Sequence, residues 1–186
     1  MSRAPDILAA LAETLDPPQV LKRFGLSPGD LKELLRQAAL CLKAREEPWS
    51  LYVDGACRGN PGPAGAGAVL LDPEGRIQAQ ESRSLGLATN NIAEYQGLLL
   101  GLAAARARGV RRLAIFSDSQ LMVEQLNGRY RVKTPHLLPL WQEARKQLQY
   151  FEVYAISHVD RALNREADRL ARQAVDQGAP PGYNNT

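Results

Sequence analysis

Cysteine and histidine are scarce in this sequence. Its 186 residues include two cysteines, Cys41 and Cys57, and two histidines. Two cysteines are too few for a disulfide framework, and they lack the paired spacing of a zinc site. The sequence is therefore not that of a disulfide-rich secreted protein or a Cys/His zinc module, and we expect a reduced, intracellular protein.

Long apolar segments are also missing. No run approaches the roughly 20 residues that a membrane helix needs. The opening residues, MSRAPDILAALAETLD, have one arginine followed by acids and lack the apolar stretch of a signal peptide. We expect no membrane partner and a cytoplasmic location. Hydrophobic residues nevertheless make up 45% of the chain, which is enough for a folded core.

Charge is unevenly distributed along the chain. Residues 1–47 hold seven basic and seven acidic residues, whereas the remainder holds 16 basic and 13 acidic ones. If several of the later acids meet at one metal site, the surface around them is clearly basic. Such a surface suits a polyanionic partner such as nucleic acid.

Residues 1–47 predict a small all-α segment. Leucine and isoleucine recur at helical spacing over 7–15, a short helix is expected over 19–24, and Ser27-Pro28 is typical of the start of a third. The segment is neutral and Phe24 is its only aromatic residue, which disfavours a module that binds nucleic acid through basic and aromatic side chains. We expect it to pack on the rest of the chain or to self-associate; a protein partner is the first alternative and nucleic acid the second.

Residues 48–178 predict an α/β domain. Strands are expected at 51–53, 68–71 and 76–85, with the glycine-rich stretch 59–67 between the first two. Helical and strand patterns then alternate, with helices at 91–108, 119–126, 137–148 and 164–177 and strands at 112–117 and 151–157. This order predicts a five-stranded mixed sheet flanked by helices. Residues 179–186 are expected to form a flexible tail.

Four carboxylates are expected at the ends of these elements. Asp54 should end the first strand and Asp118 directly follows strand 112–117, so both would lie at one edge if those strands are neighbours. Glu94 is expected in the first turn of the long helix, and Asp168 in the first turns of the last. Each acid alone could be a helix cap or a solvated charge.

The ligand chemistry of such a cluster favours a hard cation. No Cys or His pair accompanies the acids, and Mg²⁺ takes oxygen ligands. Two ions about 4 Å apart can activate a water and stabilise the leaving oxygen of a phosphoryl displacement. The ligand chemistry therefore favours Mg²⁺, with Mn²⁺ as a substitute, at a site formed by Asp54, Glu94, Asp118 and Asp168.

Four segments resemble the ribonuclease HI family. They are YVDGACRGNPGPAGAGAVL (52–70), TNNIAEYQGLLLGL (89–102), FSDSQLMVEQL (116–126) and HVDRALNREADRLA (158–171). The resemblance implies the ribonuclease H-like fold and a two-metal endonuclease that cuts the RNA strand of RNA–DNA hybrids, leaving 5′-phosphate and 3′-hydroxyl ends. It places the four acids on the family's metal ligands and His158 on its mobile-loop histidine, which assists proton transfer or product release.

The same resemblance implies substrate contacts. Amides should reach the minor groove and backbone, Thr89 should help hold a DNA phosphate, and Cys57 should pack near the hybrid, where 2′-hydroxyls distinguish the strands. The implied set is Cys57, Asn60, Thr89, Asn90, Asn91, Gln120 and Asn164.

The segment 127–141 departs from the longer family members, which carry a basic helix and loop there. Arg129, Arg131 and Lys133 alternate with other residues and could present one phosphate-binding edge in extended form. A solvated turn is the alternative. The short segment resembles compact, archaeal-type members, some of which tolerate double-stranded RNA, so activity on that duplex is an alternative to strict hybrid specificity.

Three other functions compete with this interpretation. Another nuclease of the same fold would not be expected to carry the TNN…E and DSQ motifs. A non-catalytic nucleic-acid-binding module would not need four acids together with His158. A structural protein gives no reason for acids at the ends of four elements.

Overall fold

The computed structural model describes residues 4–178, without the side chains of 5 and 39–46. The chain divides into two compact units, Met1–Glu46 and Glu47–Thr186. The tail predicted at 179–186 and the side chain of Cys41 lie outside the described residues. Among the helices of the described part, none is both long and apolar enough to cross a membrane.

The first unit is a set of three helices, as predicted: α1 (Ala4–Thr14), α2 (Pro17–Phe24) and α3 (Pro28–Glu46). The start of α3 is held by a reciprocal cap. The Asp30 amide donates to Ser27 Oγ over 3.1 Å, and the Ser27 amide donates to Asp30 Oδ2 over 2.8 Å. Its small core contains Ile7, Ala10, Val20 and Leu31.

The second unit contains the predicted mixed sheet. Its strands are β1 (Trp49–Cys57), β2 (Gly62–Leu71), β3 (Ile77–Ala88), β4 (Arg112–Ser117) and β5 (Val153–His158), in the order β3-β2-β1-β4-β5. The first three pair antiparallel, while β1 with β4 and β4 with β5 pair parallel. The predicted adjacency of the first and fourth strands is confirmed.

Helices cover both faces of this sheet. They are α4 (Asn90–Ala107), α5 (Gln120–Leu126), α6 (Leu138–Leu148) and α7 (Arg165–Gly178), and a 3₁₀ turn at Arg161–Leu163 precedes the last. Successive strand residues face opposite sides. Accordingly, Ala68 and Leu70 join the large core with α4, whereas Val69 packs with Ala167 and Leu170 of α7.

The glycine-rich stretch is not a loop before a strand at 68, because β2 already begins at Gly62. Its small residues admit α7 at very short range. A Cβ on Gly65 would lie 2.4 Å from the Ala171 carbonyl oxygen, and one on Gly67 would lie 2.4 Å from that of Ala167. The glycines therefore set the distance between α7 and the sheet.

Candidate active site

Asp54 and Asp118 lie side by side just past the paired part of two parallel strands. The register ends with Tyr52 of β1 opposite Phe116 of β4, two residues before each acid. The prediction that Asp54 ends its strand is wrong, because β1 continues antiparallel to β2 with Asp54 opposite Gly67. Asp118 directly follows β4, as predicted.

Glu94 approaches these acids through a close contact between α4 and β1. A Cβ on Gly55 would lie 2.2 Å from the Glu94 amide nitrogen, and one on Gly97 would lie 2.5 Å from the Asp54 carbonyl oxygen. Glu94 lies in the second turn of α4 and not in the first, because the helix begins at Asn90. Asp54, Glu94 and Asp118 each place one carboxylate oxygen within 4.8 Å of the others.

Burial of this cluster makes its negative charge costly. Asp54 is 4% exposed and Glu94 is 5% exposed. Burial, followed by the charges of Asp118 and Asp168, raises the pKa of Asp54 to about 8. Burial and the charges of Asp54 and Asp118 raise the pKa of Glu94 well above its ordinary value. Glu94 Oε2 is buried with no hydrogen-bond partner among the described residues, so no donor there compensates its burial.

Asn164 was expected to contact substrate, but it is 1% exposed and lies beneath the cluster. Its Nδ2 donates to the Val53 carbonyl oxygen over 2.9 Å and to Asp118 Oδ1 over 3.0 Å. It therefore ties the carboxylate of Asp118 to the backbone of β1. Burial of this amide depends on how the turn before α7 packs, which the sequence pattern did not reveal.

Asp168 faces the same cleft but is engaged by arginines. Arg161 Nη2 donates to Asp168 Oδ1 over 2.7 Å, and Arg172 Nε lies 3.0 Å from Oδ2. Partial burial acts to raise the pKa of Asp168, but the hydrogen bonds from the two arginines outweigh it and lower that pKa. The three-carboxylate cluster found among the described residues does not include Asp168. The sequence reading did not anticipate Arg172.

His158 is the last residue of β5 and borders the cluster. Its Nε2 lies 3.2 Å from the backbone carbonyl oxygen of Asp118, and its side chain is exposed. The imidazole therefore contacts the backbone of Asp118, one of the clustered acids, and is open to solvent. This position suits a group that exchanges protons with bound substrate or product.

The other predicted substrate-contacting residues lie at or next to the end of β1 and the starts of α4 and α5. Thr89 caps α4, with Oγ1 accepting from the Ile92 amide over 3.4 Å. The Asn90 amide donates to Asn60 Oδ1 over 3.2 Å, and Asn90 Nδ2 donates to Glu94 Oε1 over 3.3 Å. Cys57 Sγ lies 3.1 Å from the Ala88 carbonyl oxygen and so links β1 to β3. Asn91 and Gln120 are exposed at the starts of α4 and α5.

An open cleft of about 720 Å³ contains the acids. Its wall includes Asn90, Gln120, Arg58, Arg161 and Arg172. The cleft thus contains clustered carboxylates together with arginine and amide side chains. Arg129, Arg131 and Lys133 do not line this cleft.

Of the three residues predicted to form a phosphate-binding edge, Arg129 is paired with an acid, whereas Arg131 and Lys133 are exposed. Arg129 forms an ion pair with Glu124, and its Nη2 donates to Glu124 Oε1 over 2.8 Å. Arg131 and Lys133 are exposed on either side of the half-buried Val132, which packs against the core. Side chains therefore alternate between exposed and half-buried positions over 131–133, whereas Arg129 is paired with Glu124.

The second unit is similar to several known proteins. Residues 52–174 match the family model described as reverse transcriptase-like. The bifunctional protein Rv2228c of Mycobacterium tuberculosis is 45% identical over 130 residues, which are 69% of this chain and 36% of that protein. Ribonuclease HI of Halobacterium salinarum is 44% identical over 125 residues, 67% of this chain and 63% of the relative. The chain thus spans about a third and just under two thirds of these relatives.

Solved structures agree in fold over the second unit. The crystal structure of RNase H1 from Halobacterium salinarum has a TM-score of 0.68 at 42% identity and covers 70% of this chain and 98% of its own. LC11-RNase H1 in complex with an RNA/DNA hybrid has a TM-score of 0.66 at 33% identity, covering 69% and 97%.

Proposed function

Because this chain belongs to the ribonuclease H family, we propose that it hydrolyses the RNA strand of RNA–DNA hybrids as an endonuclease, leaving 5′-phosphate and 3′-hydroxyl ends. The observation that carries this proposal is the group of Asp54, Glu94 and Asp118 at the floor of an open cleft. The hybrid bound by LC11-RNase H1 supports the same class of substrate.

The donor set fits a divalent cation. Three carboxylates converge within 4.8 Å, two of them are nearly inaccessible, and Glu94 Oε2 has no partner among the described residues. Oxygen donors of this kind suit Mg²⁺, with Mn²⁺ as a substitute. Asp54, Glu94 and Asp118 would hold the ions, and Asp168 would join them on leaving its arginines. When bound, two such ions supply charge neutralisation at the phosphate and a more acidic water.

The residues of the chain itself provide the remaining parts of the mechanism. Asn164 holds the Asp118 carboxylate in place, and Asn90 holds that of Glu94. His158 can take a proton at its exposed imidazole and carry it to solvent. The side chains of Asn90 and Gln120 line the cleft, and together with Asn60 and Asn91 they can sense 2′-hydroxyls in a minor groove.

Strand-specific labelling tests the proposal. A hybrid is labelled on the RNA strand or on the DNA strand, and matched RNA and DNA duplexes are treated in parallel with Mg²⁺, Mn²⁺ or EDTA. We expect internal cleavage of the RNA strand alone, only with metal, and products that a 5′-phosphate-dependent ligase can rejoin. Equal cleavage of the RNA duplex would favour the broader specificity, and cleavage of DNA would favour another nuclease of this fold.

His158→Ala is expected to lower kcat by about 10²-fold, the low end of general acid–base contributions, while leaving measurable cleavage. The imidazole assists and the acids remain in place, so folding should not change. Steady-state rates between pH 6 and 9 check this, with His136→Ala as the control because His136 is likewise an exposed histidine but lies in the turn before α6. Rates equal to those of the unmodified protein at every pH would remove His158 from the mechanism.

Asn164→Asp is expected to lower kcat about 10–100-fold, the usual cost of losing a group that orients a metal ligand. The replacement is nearly isosteric but places a carboxylate where Nδ2 now donates to Asp118 and Val53. Raising the Mn²⁺ concentration should restore part of the activity, which would not occur if the variant had simply unfolded. Circular dichroism provides the folding control, and unchanged kcat would contradict the positioning role.

Replacing Arg131 and Lys133 by Ala is expected to raise KM more than it lowers kcat. Each lost phosphate contact should flatten the dependence of log K on log salt by about 0.7–0.9. Arg129→Ala provides the comparison, because its ion pair with Glu124 should leave it a smaller effect. Binding measured from about 50 to 300 mM salt tests this, and an unchanged slope would mean that this edge faces solvent.

A further inference from the structure

The cleft-facing side of α7 carries a ladder of charges. Asp168, Arg172 and Asp176 recur every four residues, so they share one face of the helix. Arg161 pairs with Asp168 at one end, and Arg58 pairs with Asp176 at the other. All five residues line the cleft that contains the three clustered acids. The ladder therefore forms a wall of the site.

The pairs at Asp168 are arranged so that they can exchange partners. The Asp168 side chain is 19% exposed, whereas those of Arg161 and Arg172 are 65% and 60% exposed. Each guanidinium contacts Asp168 through one nitrogen, Nη2 of Arg161 and Nε of Arg172, and carries further donors. Ion pairs of this exposure contribute little net stability, so a phosphate or another strong partner can replace the carboxylate.

Because Arg161 and Arg172 hold Asp168, this residue does not join the three clustered carboxylates. Asp168 is close enough for its charge to raise the pKa of Asp54, yet both of its oxygens are engaged by arginine. A cation drawn to the other three acids would compete with those arginines for Asp168. A hybrid entering the cleft would bring phosphates that compete with Asp168 for the arginines.

We propose that Arg161 and Arg172 act as exchange partners of Asp168. Before the cation and the hybrid arrive, they hold the Asp168 carboxylate away from the cluster. Once that carboxylate turns to the cation, the two guanidiniums bind a backbone phosphate of the hybrid. This inference rests on the proposed function, because it assigns the arginines to the phosphates of that same substrate.

The exchange predicts two effects of opposite sign from one substitution. Arg172→Gln should tighten Mn²⁺ binding about two- to fivefold in the absence of nucleic acid, because one competitor for Asp168 is gone. The same variant should raise KM for the hybrid and flatten its salt dependence by about 0.7–0.9, because one phosphate contact is gone. A purely structural ion pair would not improve metal binding while it weakened substrate binding.

A double-mutant cycle separates the exchange from a general charge effect. Mn²⁺ binding is measured by electron paramagnetic resonance for the unmodified protein, Arg172→Gln, Asp168→Asn and the double variant. The gain from Arg172→Gln should vanish when Asp168 is already Asn. Arg169→Gln is the matched control, since Arg169 lies on the same helix but pairs with Glu166, and it should alter neither Mn²⁺ binding nor KM.

The outcomes are distinct. A Mn²⁺ gain that persists in the Asp168→Asn background, or that Arg169→Gln reproduces, would overturn the exchange. An unchanged salt slope for Arg172→Gln would overturn the phosphate contact. The Mn²⁺ arm uses no nucleic acid, so it gives a result even if the unmodified protein fails to cleave hybrids, a failure that would count against the proposed function.

Discussion

Asp54→Asn and Asp118→Asn are each expected to abolish hybrid cleavage while the protein stays folded. Both side chains belong to the three-carboxylate cluster, and an amide replaces a negative ligand with a neutral one. Loss of a group that only orients a ligand commonly costs 10–100-fold, so loss of the ligand itself should exceed about 100-fold. Neither substitution adds charge to the buried cluster, so the fold should not be destabilised.

Cleavage rates at saturating hybrid, together with thermal unfolding in EDTA, check this expectation. Asp160→Asn is the matched control, because it makes the same chemical change at an exposed position close to His158 in sequence. The control should retain its activity. Activity above about a tenth of the unmodified protein in either cluster variant would defeat the assignment, since ligand loss should exceed the cost of a disturbed orienting group.

Metal affinity is expected to rise steeply with pH, by about tenfold per unit between pH 6 and 8. The pKa of Asp54 is raised to about 8 by burial and by neighbouring acids, so the metal-free site holds a proton that a cation must displace. Glu94 contributes in the same direction. Well above pH 8 Asp54 is ionised even without metal, and the dependence on that residue should level off.

The stability of the metal-free protein should change in the opposite direction. Asp54 binds a proton more tightly when folded than when unfolded, where its pKa is near 3.8. The contribution of Asp54 to the free energy of unfolding should therefore be largest below about pH 4 and should fall as the pH rises to about 8.

Mn²⁺ binding and urea denaturation in EDTA, each at several pH values, test both trends. Asp54→Asn should flatten the pH dependence of each measurement, because the titrating group is gone. Mn²⁺ affinity that is constant from pH 6 to 8 would show that Asp54 is already ionised in the metal-free protein.

Much of the fold could be predicted because its elements are coded locally. Periodic apolar residues and turn residues indicated the helices of both units, and β4 was predicted at 112–117, where it lies. The first two strands were predicted too short. Their extensions, over 54–57 and 62–67, are stabilised by pairing with each other over 64–67, by pairing of 62–63 with β3 and by contact of β2 with α7, which a local pattern does not encode.

The site shows the same division. The place of Asp118 follows from the end of a buried strand, and its neighbour Asp54 follows from the order of the strands. In contrast, the burial of Asn164 and the pairing of Asp168 with Arg172 depend on how side chains meet after α7 has docked. The pair of Arg129 and Glu124 depends likewise on the turn after α5.

The glycines of β2 that contact α7 also bear on the order in which the site is assembled during synthesis of the chain. Asp54 is synthesised early in the domain, whereas Asn164 and Asp168 belong to its last turn and helix. While α7 is still inside the ribosome, the emerged part of the chain lacks both residues, and Gly65 and Gly67 are not covered by α7. The full set of Asp54, Glu94, Asp118, Asn164 and Asp168 is therefore assembled only after α7 has emerged from the ribosome.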